Sequence, residues 1–192
     1  MGNCINIKFT KELGGQQKLH LFRYFLGRGF ITPNDTVLDL GCGSGYGTEL
    51  LAEVAKSVIG IDIEETEVLS ALTGKKDNVE YYVKNLEEWN IPRADVSVQF
   101  ENLEHLYNPE RFAKRLKEKI KKFIILSTPV GCEKLINVNG DMQADLDSTH
   151  HSVFNSPSEV DKLFIDDKWK HFFSFRDGIT YIAIYYNSEN YD

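Results

Sequence analysis

Two groups of residues in this chain have the types and spacing to do chemistry. The first is the stretch Val37-Leu-Asp-Leu-Gly-Cys-Gly-Ser-Gly-Tyr-Gly47, where Asp39 sits inside an apolar run and glycines follow at 41, 43, 45 and 47. Glycine lets the backbone take positive φ and approach a ligand with no Cβ in the way. A helical pattern begins at Thr48, so the unpaired N–H groups of a helix start would face the same ligand. Gly41-x-Gly43-x-x-Tyr46 lacks the third glycine of the dinucleotide fingerprint, which argues against a nicotinamide oxidoreductase. An acid at a strand end repels a pyrophosphate and favours a cationic or hydroxyl-bearing partner. Val58-Ile-Gly-Ile-Asp62 gives a second apolar run ending in an acid, a position suited to a ribose diol. The two acids together fit an amino-acid-plus-nucleoside ligand better than a phosphate ligand.

The second group is Glu101, Glu104 and His105, spaced i, i+3, i+4. On a helical turn these share one face. With His150 or His151 they have the donor types to bind one divalent cation, with no choice among Mg, Mn and Zn. Two metal-free readings stand beside this one. Either His105 caps or lines the pocket, or it serves as a general base. His20 and His171 read as ordinary helix and strand residues. Cys42, between two glycines, reads as a small residue against the ligand rather than a nucleophile.

The elements that must position these residues follow from periodicity. Strands are expected near 36–40, 57–62, 79–84, 94–100 and 122–128, and helices near 46–55, 65–74 and 109–120. An earlier helix over 10–30 carries His20, Arg23 and Tyr24 and is interrupted at Gly14-Gly15. Asn108-Pro109 is a helix start, and Ser156-Pro-Ser-Glu159 has the form of a capping box opening a helix near 157–166. Alternation of this kind implies a parallel sheet with helices on both faces. The run 168–175, then Asp177-Gly178, then 179–186 reads as an antiparallel hairpin. Residues 129–156 hold no clear element and are long for a plain connection, so a lid or substrate segment is expected there. The basic run Arg111–Lys122 reads as a solvated helix face.

Composition narrows the partners. The chain has 192 residues, enough for one domain spanning 1–192 with residues 1–34 as an N-terminal helical segment. A net charge of −7 disfavours broad binding to nucleic acid or to an anionic membrane but leaves room for a local basic patch. Cys4, Cys42 and Cys132 are odd in number and lack metal spacing, so free thiols in a reducing compartment, the cytoplasm, are expected. No apolar run approaches the length of a membrane span and no signal-peptide core is present. Gly2 and Cys4 suggest acylation, but Asn6 breaks the myristoylation pattern. Composition does not specify an oligomeric state.

From about His20 to Phe164 the chain resembles the small class I methyltransferases that use S-adenosyl-L-methionine. The glycine stretch resembles their first motif, Val58–Asp62 their second strand, and Val79-Glu-Tyr-Tyr-Val-Lys-Asn85-Leu86 their third. Ala94–His105 resembles their fourth strand and its Glu-x-x-Glu-His sequel. Asn85, Val130 and Val153 depart from the residues usual at their positions. The resemblance implies an α/β, Rossmann-like, mostly parallel seven-stranded sheet with a C-terminal antiparallel hairpin. It also implies methyl transfer to an oxygen or nitrogen of a small molecule. Asp39, Gly41, Cys42, Gly43, Ser44 and Gly45 would meet the methionine end of the cofactor. Asp62 would take the ribose hydroxyls with Ile63 against the adenine, and Asn85 and Leu86 would meet the adenine edge. Phe100 or Glu101 would lie near the sulfonium. A Glu101, Glu104, His105, His150 set resembles the metal site of some O-methyltransferases, including small-RNA ribose methyltransferases. A ribose methyltransferase acting on RNA with a divalent metal, or a non-catalytic binder of the same cofactor, are the alternative functions.

Overall fold

The structure is a computed structural model describing residues 15–131 and 149–190. Five parallel strands carry the apolar runs: β1 (Thr36–Leu40), β2 (Ser57–Asp62), β3 (Val79–Val83), β4 (Ala94–Phe100) and β5 (Ile120–Pro129). Two antiparallel strands complete the sheet, β6 (Trp169–Asp177) and β7 (Thr180–Asn187), in the order β3-β2-β1-β4-β5-β7-β6. The order reverses between β1 and β4, which opens a crevice beyond their carboxyl ends where ligands of such sheets bind. The seven-stranded sheet with its C-terminal antiparallel pair is the fold class expected from the sequence.

Helices cover both faces because each buried strand alternates its apolar side chains between two cores. Val37, Val58, Val96 and Val98 pack under α1 (Gly15–Arg28), α2 (Tyr46–Leu51) and α3 (Glu65–Ala71) through Tyr24, Leu51 and Val68. Leu38, Leu40, Ile124 and Leu126 pack on the other face under α4 (Pro109–Lys117) and α5 (Pro157–Phe164). Phe164 stacks on Tyr185 at 5.1 Å, and the Tyr181 and Tyr185 hydroxyls both donate to Asp161 Oδ1, which fixes α5 against β7.

Element ends differ from the periodicity. The expected helices at 46–55, 65–74, 109–120 and 157–166 stop at Leu51, Ala71, Lys117 and Phe164, and β5 begins at Ile120. Ile120 is 3% exposed, so its burial in the sheet decides that boundary over helix continuation. Asn108 does cap α4, its side chain accepting from Arg111 N at 2.9 Å. The Ser156 capping box does not form. Ser156 Oγ pairs with Ser158 Oγ, and Glu159 accepts from Asn155 N instead. The hairpin turn is Gly178-Ile179, with Gly178 at φ +60° and Asp177 opposite Thr180. Residues 1–14 of the expected N-terminal segment and most of the expected lid lie outside the described residues.

Gln99 is the clearest break in the rule that buried polar groups are paired. Gln99 on β4 is fully buried, and neither its Oε1 nor its Nε2 has a hydrogen-bond partner. Gln99→Met keeps the shape and removes the orphaned amide, so it is expected to raise stability by about 1 kcal/mol in chemical denaturation. Phe164→Ala in the same assay is expected to cost about 3–5 kcal/mol.

Candidate active site

The loop after β1 is shaped by three left-handed glycines, Gly41, Gly43 and Gly45. Its backbone is tied to the tip of β2, since Gly41 N and Cys42 N both donate to Ile61 O at 2.8 and 3.0 Å. The glycines serve different needs. A Cβ on Gly45 would lie 2.5 Å from Tyr81 Oη, and one on Gly47 would enter the Tyr24 ring, so both are required by packing. A Cβ on Gly43 would meet nothing within 4 Å. Gly43 therefore presents bare backbone to open space at the carboxyl end of β1.

Asp62 lines that space. Its Oδ2 accepts from Gly43 N at 2.8 Å and its Oδ1 from Glu64 N at 2.9 Å, which fixes the carboxylate while it stays half-buried. Ile63 beside it is 61% exposed, a large apolar side chain at the mouth. Asn85 is exposed, and its Oδ1 accepts from Glu87 N at 2.9 Å, so the amide oxygen assigned to an adenine already makes a local turn bond. The Leu86 side chain is buried in the core. Cys42 likewise packs into the core, where burial raises its thiol pKa well above the ordinary value and disfavours the thiolate.

Asp39 lies deeper than a ligand-contacting acid. Its carboxylate is fully buried, accepting from Thr48 Oγ1 at 2.6 Å and from the Tyr24 hydroxyl at 3.2 Å. Burial pushes its pKa up to about 7, against the lowering by those two bonds, and the nearby Asp62 adds to the rise. Above Asp39 four rings cluster. Phe100, Tyr24, Tyr46 and His20 meet at centroid distances between 4.9 and 6.2 Å, and His20 Nδ1 contacts the Tyr46 hydroxyl. Burial and the adjacent Arg23 lower the His20 pKa to about 4, so the ring is neutral at pH 7. His20 is thus a core member of the site rather than the ordinary helix residue expected.

Beyond β4 the chain turns sharply. Glu101 is the one non-glycine residue with positive φ among the described residues, at +52°. Only a three-residue 3-10 turn, Leu103–His105, follows it, so Glu101 does not share a helical face with Glu104 and His105. Glu101 points to Arg23 instead, with Nη1 donating to Oε1 at 2.9 Å and Ser127 Oγ donating at 2.7 Å. Glu104, His105 and His150 do converge, with one possible ligand atom from each all within 4.8 Å of one another. His151 is elsewhere, stacked on Tyr107 at 3.8 Å. The four-residue metal set expected from the sequence is therefore a three-residue set here.

That cluster is well supported. His151 N and Ser152 N both donate to the Glu104 carbonyl at 2.9 Å, which pins the returning segment against the 3-10 turn. His105 Nδ1 lies 3.1 Å from Thr149 O. A carbonyl can only accept, so Nδ1 carries the proton and Nε2 keeps a lone pair for an acceptor proton or a cation. Glu104 accepts from Thr128 Oγ1 at 3.0 Å, yet burial, then the Glu101 charge, push its pKa up to about 8. The donor set, one carboxylate and two imidazoles, fits a divalent transition metal.

Sequence reasoning missed Asn102. It is buried against Gly41, and its Nδ2 has no hydrogen-bond partner. An orphaned donor beside the open backbone of the glycine loop, with a fixed carboxylate opposite, is what a polar ligand with acceptor atoms would satisfy. It also missed Arg23, which joins Glu101, Ser127 and Thr180 across three strand tips. A cavity of about 810 Å³ lined by Arg93, Lys114, Lys162 and Trp169 lies at the amino ends of β4 and β5, the opposite end of the sheet.

The comparisons decide the family. A ubiquinone biosynthesis O-methyltransferase of Shewanella halifaxensis is 31% identical over 165 residues, covering 77% of this chain and 68% of that protein. The chain belongs to the class I S-adenosylmethionine-dependent methyltransferases. Residues 38–123 match the family described as Methyltransferase domain. A Mycobacterium tuberculosis protein named "Probable S-adenosylmethionine-dependent methyltransferase" is 38% identical over 97 residues, 48% of this chain and 35% of that protein. The match thus spans about a third of that relative's length. In fold the chain is similar to magnesium protoporphyrin IX methyltransferase from Synechocystis with bound SAH, at TM-score 0.72 and 16% identity, covering 93% and 90% of the two chains. It is also similar to a small RNA methyltransferase, at TM-score 0.71 and 19% identity, covering 95% of this chain and 27% of that one. The family's cofactor is S-adenosyl-L-methionine, and the open Gly43 backbone, fixed Asp62 and orphaned Asn102 donor fit it.

The raised Asp39 pKa has a stability consequence. Between pH 4 and 7 the unfolded chain releases this proton first, so the contribution of Asp39 is full below its ordinary pKa and is lost as pH rises toward about 7. Asp39→Asn removes that loss. Its melting temperature relative to the native chain is expected to be higher at pH 8 than at pH 5, read by thermal unfolding across the range.

Proposed function

We propose that this methyltransferase moves the methyl group of S-adenosyl-L-methionine to an oxygen or nitrogen of a small-molecule acceptor. The carrying observation is the juxtaposition of the glycine loop with Glu104 and His105 at the carboxyl ends of neighbouring strands. The cofactor, when bound, supplies a methyl already activated by a positive sulfur. The protein's own work is then placement and proton removal. In this reading Gly41, Gly43, Ser44, Gly45 and Asn102 hold the amino-acid end, Asp62 the ribose hydroxyls, and Ile63 and Asn85 the base. Phe100 and Glu101 bound the reacting end. Asp39 acts from beneath, by fixing α1 and α2 under the loop. His105 Nε2 takes the acceptor proton, and Glu104 beside it holds or releases one near neutral pH. The acidic chain and the name of the Shewanella relative support a small acceptor over a nucleic acid. No helix among the described residues is long and apolar enough to cross a membrane, which accords with action in the cytoplasm.

A second reading places a divalent cation on Glu104, His105 and His150, where it would lower the pKa of an acceptor hydroxyl. Calorimetry and a methyl-transfer assay test these readings. Calorimetry should show uptake of S-adenosylhomocysteine and none of a nicotinamide dinucleotide. Gly43→Val should abolish that uptake while the chain stays folded. In a tritiated-methyl assay over phenolic, carboxylic and amine acceptors, His105→Ala should lower kcat by about 10²–10⁴. Loss of turnover on EDTA treatment, restored by Mn or Zn, would favour the metal reading. Binding without turnover on any acceptor would defeat the enzymatic one.

A further inference from the structure

Among the described residues β6 is the outermost strand on its side of the sheet. The helical cover on the α1 face lies over β1 to β4 and thins toward β7 and β6. Phe22 and Phe25 on α1 are 52% and 51% exposed, and Phe172 and Phe173 on β6 are 46% and 48% exposed.

A β-bulge creates this face. His171 pairs with Tyr185 and Phe173 with Ile184, so Phe172 is an extra residue in the strand. In a regular strand two consecutive phenylalanines would point to opposite faces. Here both point toward α1. Phe172 meets Phe30 at 5.5 Å and Tyr186 at 6.1 Å, while Phe173 meets Phe175 at 5.8 Å and Phe175 meets Phe22 at 6.4 Å. Phe22 on the helix with Phe173 and Phe175 on the strand forms one line of rings, and Phe172 with Phe30 and Tyr186 forms a second. A hydrophobic edge strand of this kind is normally blunted or covered.

We infer that two copies of this chain pair through this face, with their β6 strands antiparallel about a two-fold axis. Two observations choose a second copy as the occupant. The first is charge. When β6 runs against itself with Phe172 opposite Phe175, Lys170 falls opposite Asp177, and the two-fold makes that pairing twice. Lys170 and Asp177 lie on the same face as the phenylalanines, since Lys170 pairs with Tyr186 and Asp177 is two residues from Phe175. The second is area. Four half-exposed aromatic side chains and Leu19, itself 43% exposed, offer roughly 100 Å² each, so two copies would bury about 1,000 Å² before any polar rim, the lower bound for a specific interface.

Sedimentation velocity and light scattering on the full chain test this. A concentration-dependent dimer is expected, with dissociation in the micromolar range for an interface of this size. Phe173→Asp is expected to weaken it at least about tenfold. D177K opposes Lys170 with a like charge and should also weaken it about tenfold, and the double swap K170D/D177K should return it to within about threefold of the native chain. Both charge variants carry the same change at the hairpin, so recovery in the double variant separates pairing from folding. A chain that remains monomeric at high concentration overturns the inference. So does a dimer that ignores Phe173→Asp, or one that D177K leaves unchanged or the double swap fails to restore.

Discussion

The site rests on one buried carboxylate. Asp39 is the point where β1, α1 and α2 are joined by side chains, through the Tyr24 hydroxyl and Thr48 Oγ1. Removing a carboxylate from water is costly unless its lone pairs are satisfied. That cost forces the Tyr24 ring against Gly47 and brings Thr48 into the first turn of α2. Gly47 then has no room for a side chain. The loop between them is left with little freedom, and its open backbone at Gly43 stays where a ligand can reach it. The acid that looked like a ligand contact shapes the contact surface from below.

Much of this was legible in the sequence because strand burial leaves a strong local signal. β1, β2 and β4 begin and end where their apolar runs do. Helix ends were overestimated, because apolar residues such as Ile120 continue a helical spacing but belong to the sheet. The glycine loop and Asp62 were legible since their spacing is set within a short stretch. Glu101 was misplaced because i, i+3, i+4 spacing presumes a helix, and a residue at φ +52° cannot be inside one. Arg23 and Asn102 carry no local signal at all. Their roles arise only when β4, β5 and β7 bring Glu101, Ser127 and Thr180 to one place, and when the post-β4 turn lays Asn102 on Gly41.

The same turn explains why Glu101 and Glu104 differ so much. Both are carboxylates within three residues, but one meets a guanidinium and the other a single hydroxyl. Arg23 holds the partly exposed Glu101 in a 2.9 Å ion pair. Glu104, fully buried and next to that charge, holds its proton to about pH 8. Of these two acids the buried Glu104 is the one able to exchange a proton near neutrality.

The placement of β7 between β5 and β6 affects how the chain must assemble. On the ribosome, β5 emerges with one edge against β4 and the other open. Its proper neighbour, residues 180–187, is made only after α5 and β6. Until then the run Phe123–Leu126, among the most apolar in the chain, has an unpaired strand edge. Arg23 also lacks its Thr180 anchor. β7 therefore joins the two halves of the sheet and anchors the site in one step, and a chain cut short before it would carry a sticky edge into the cell.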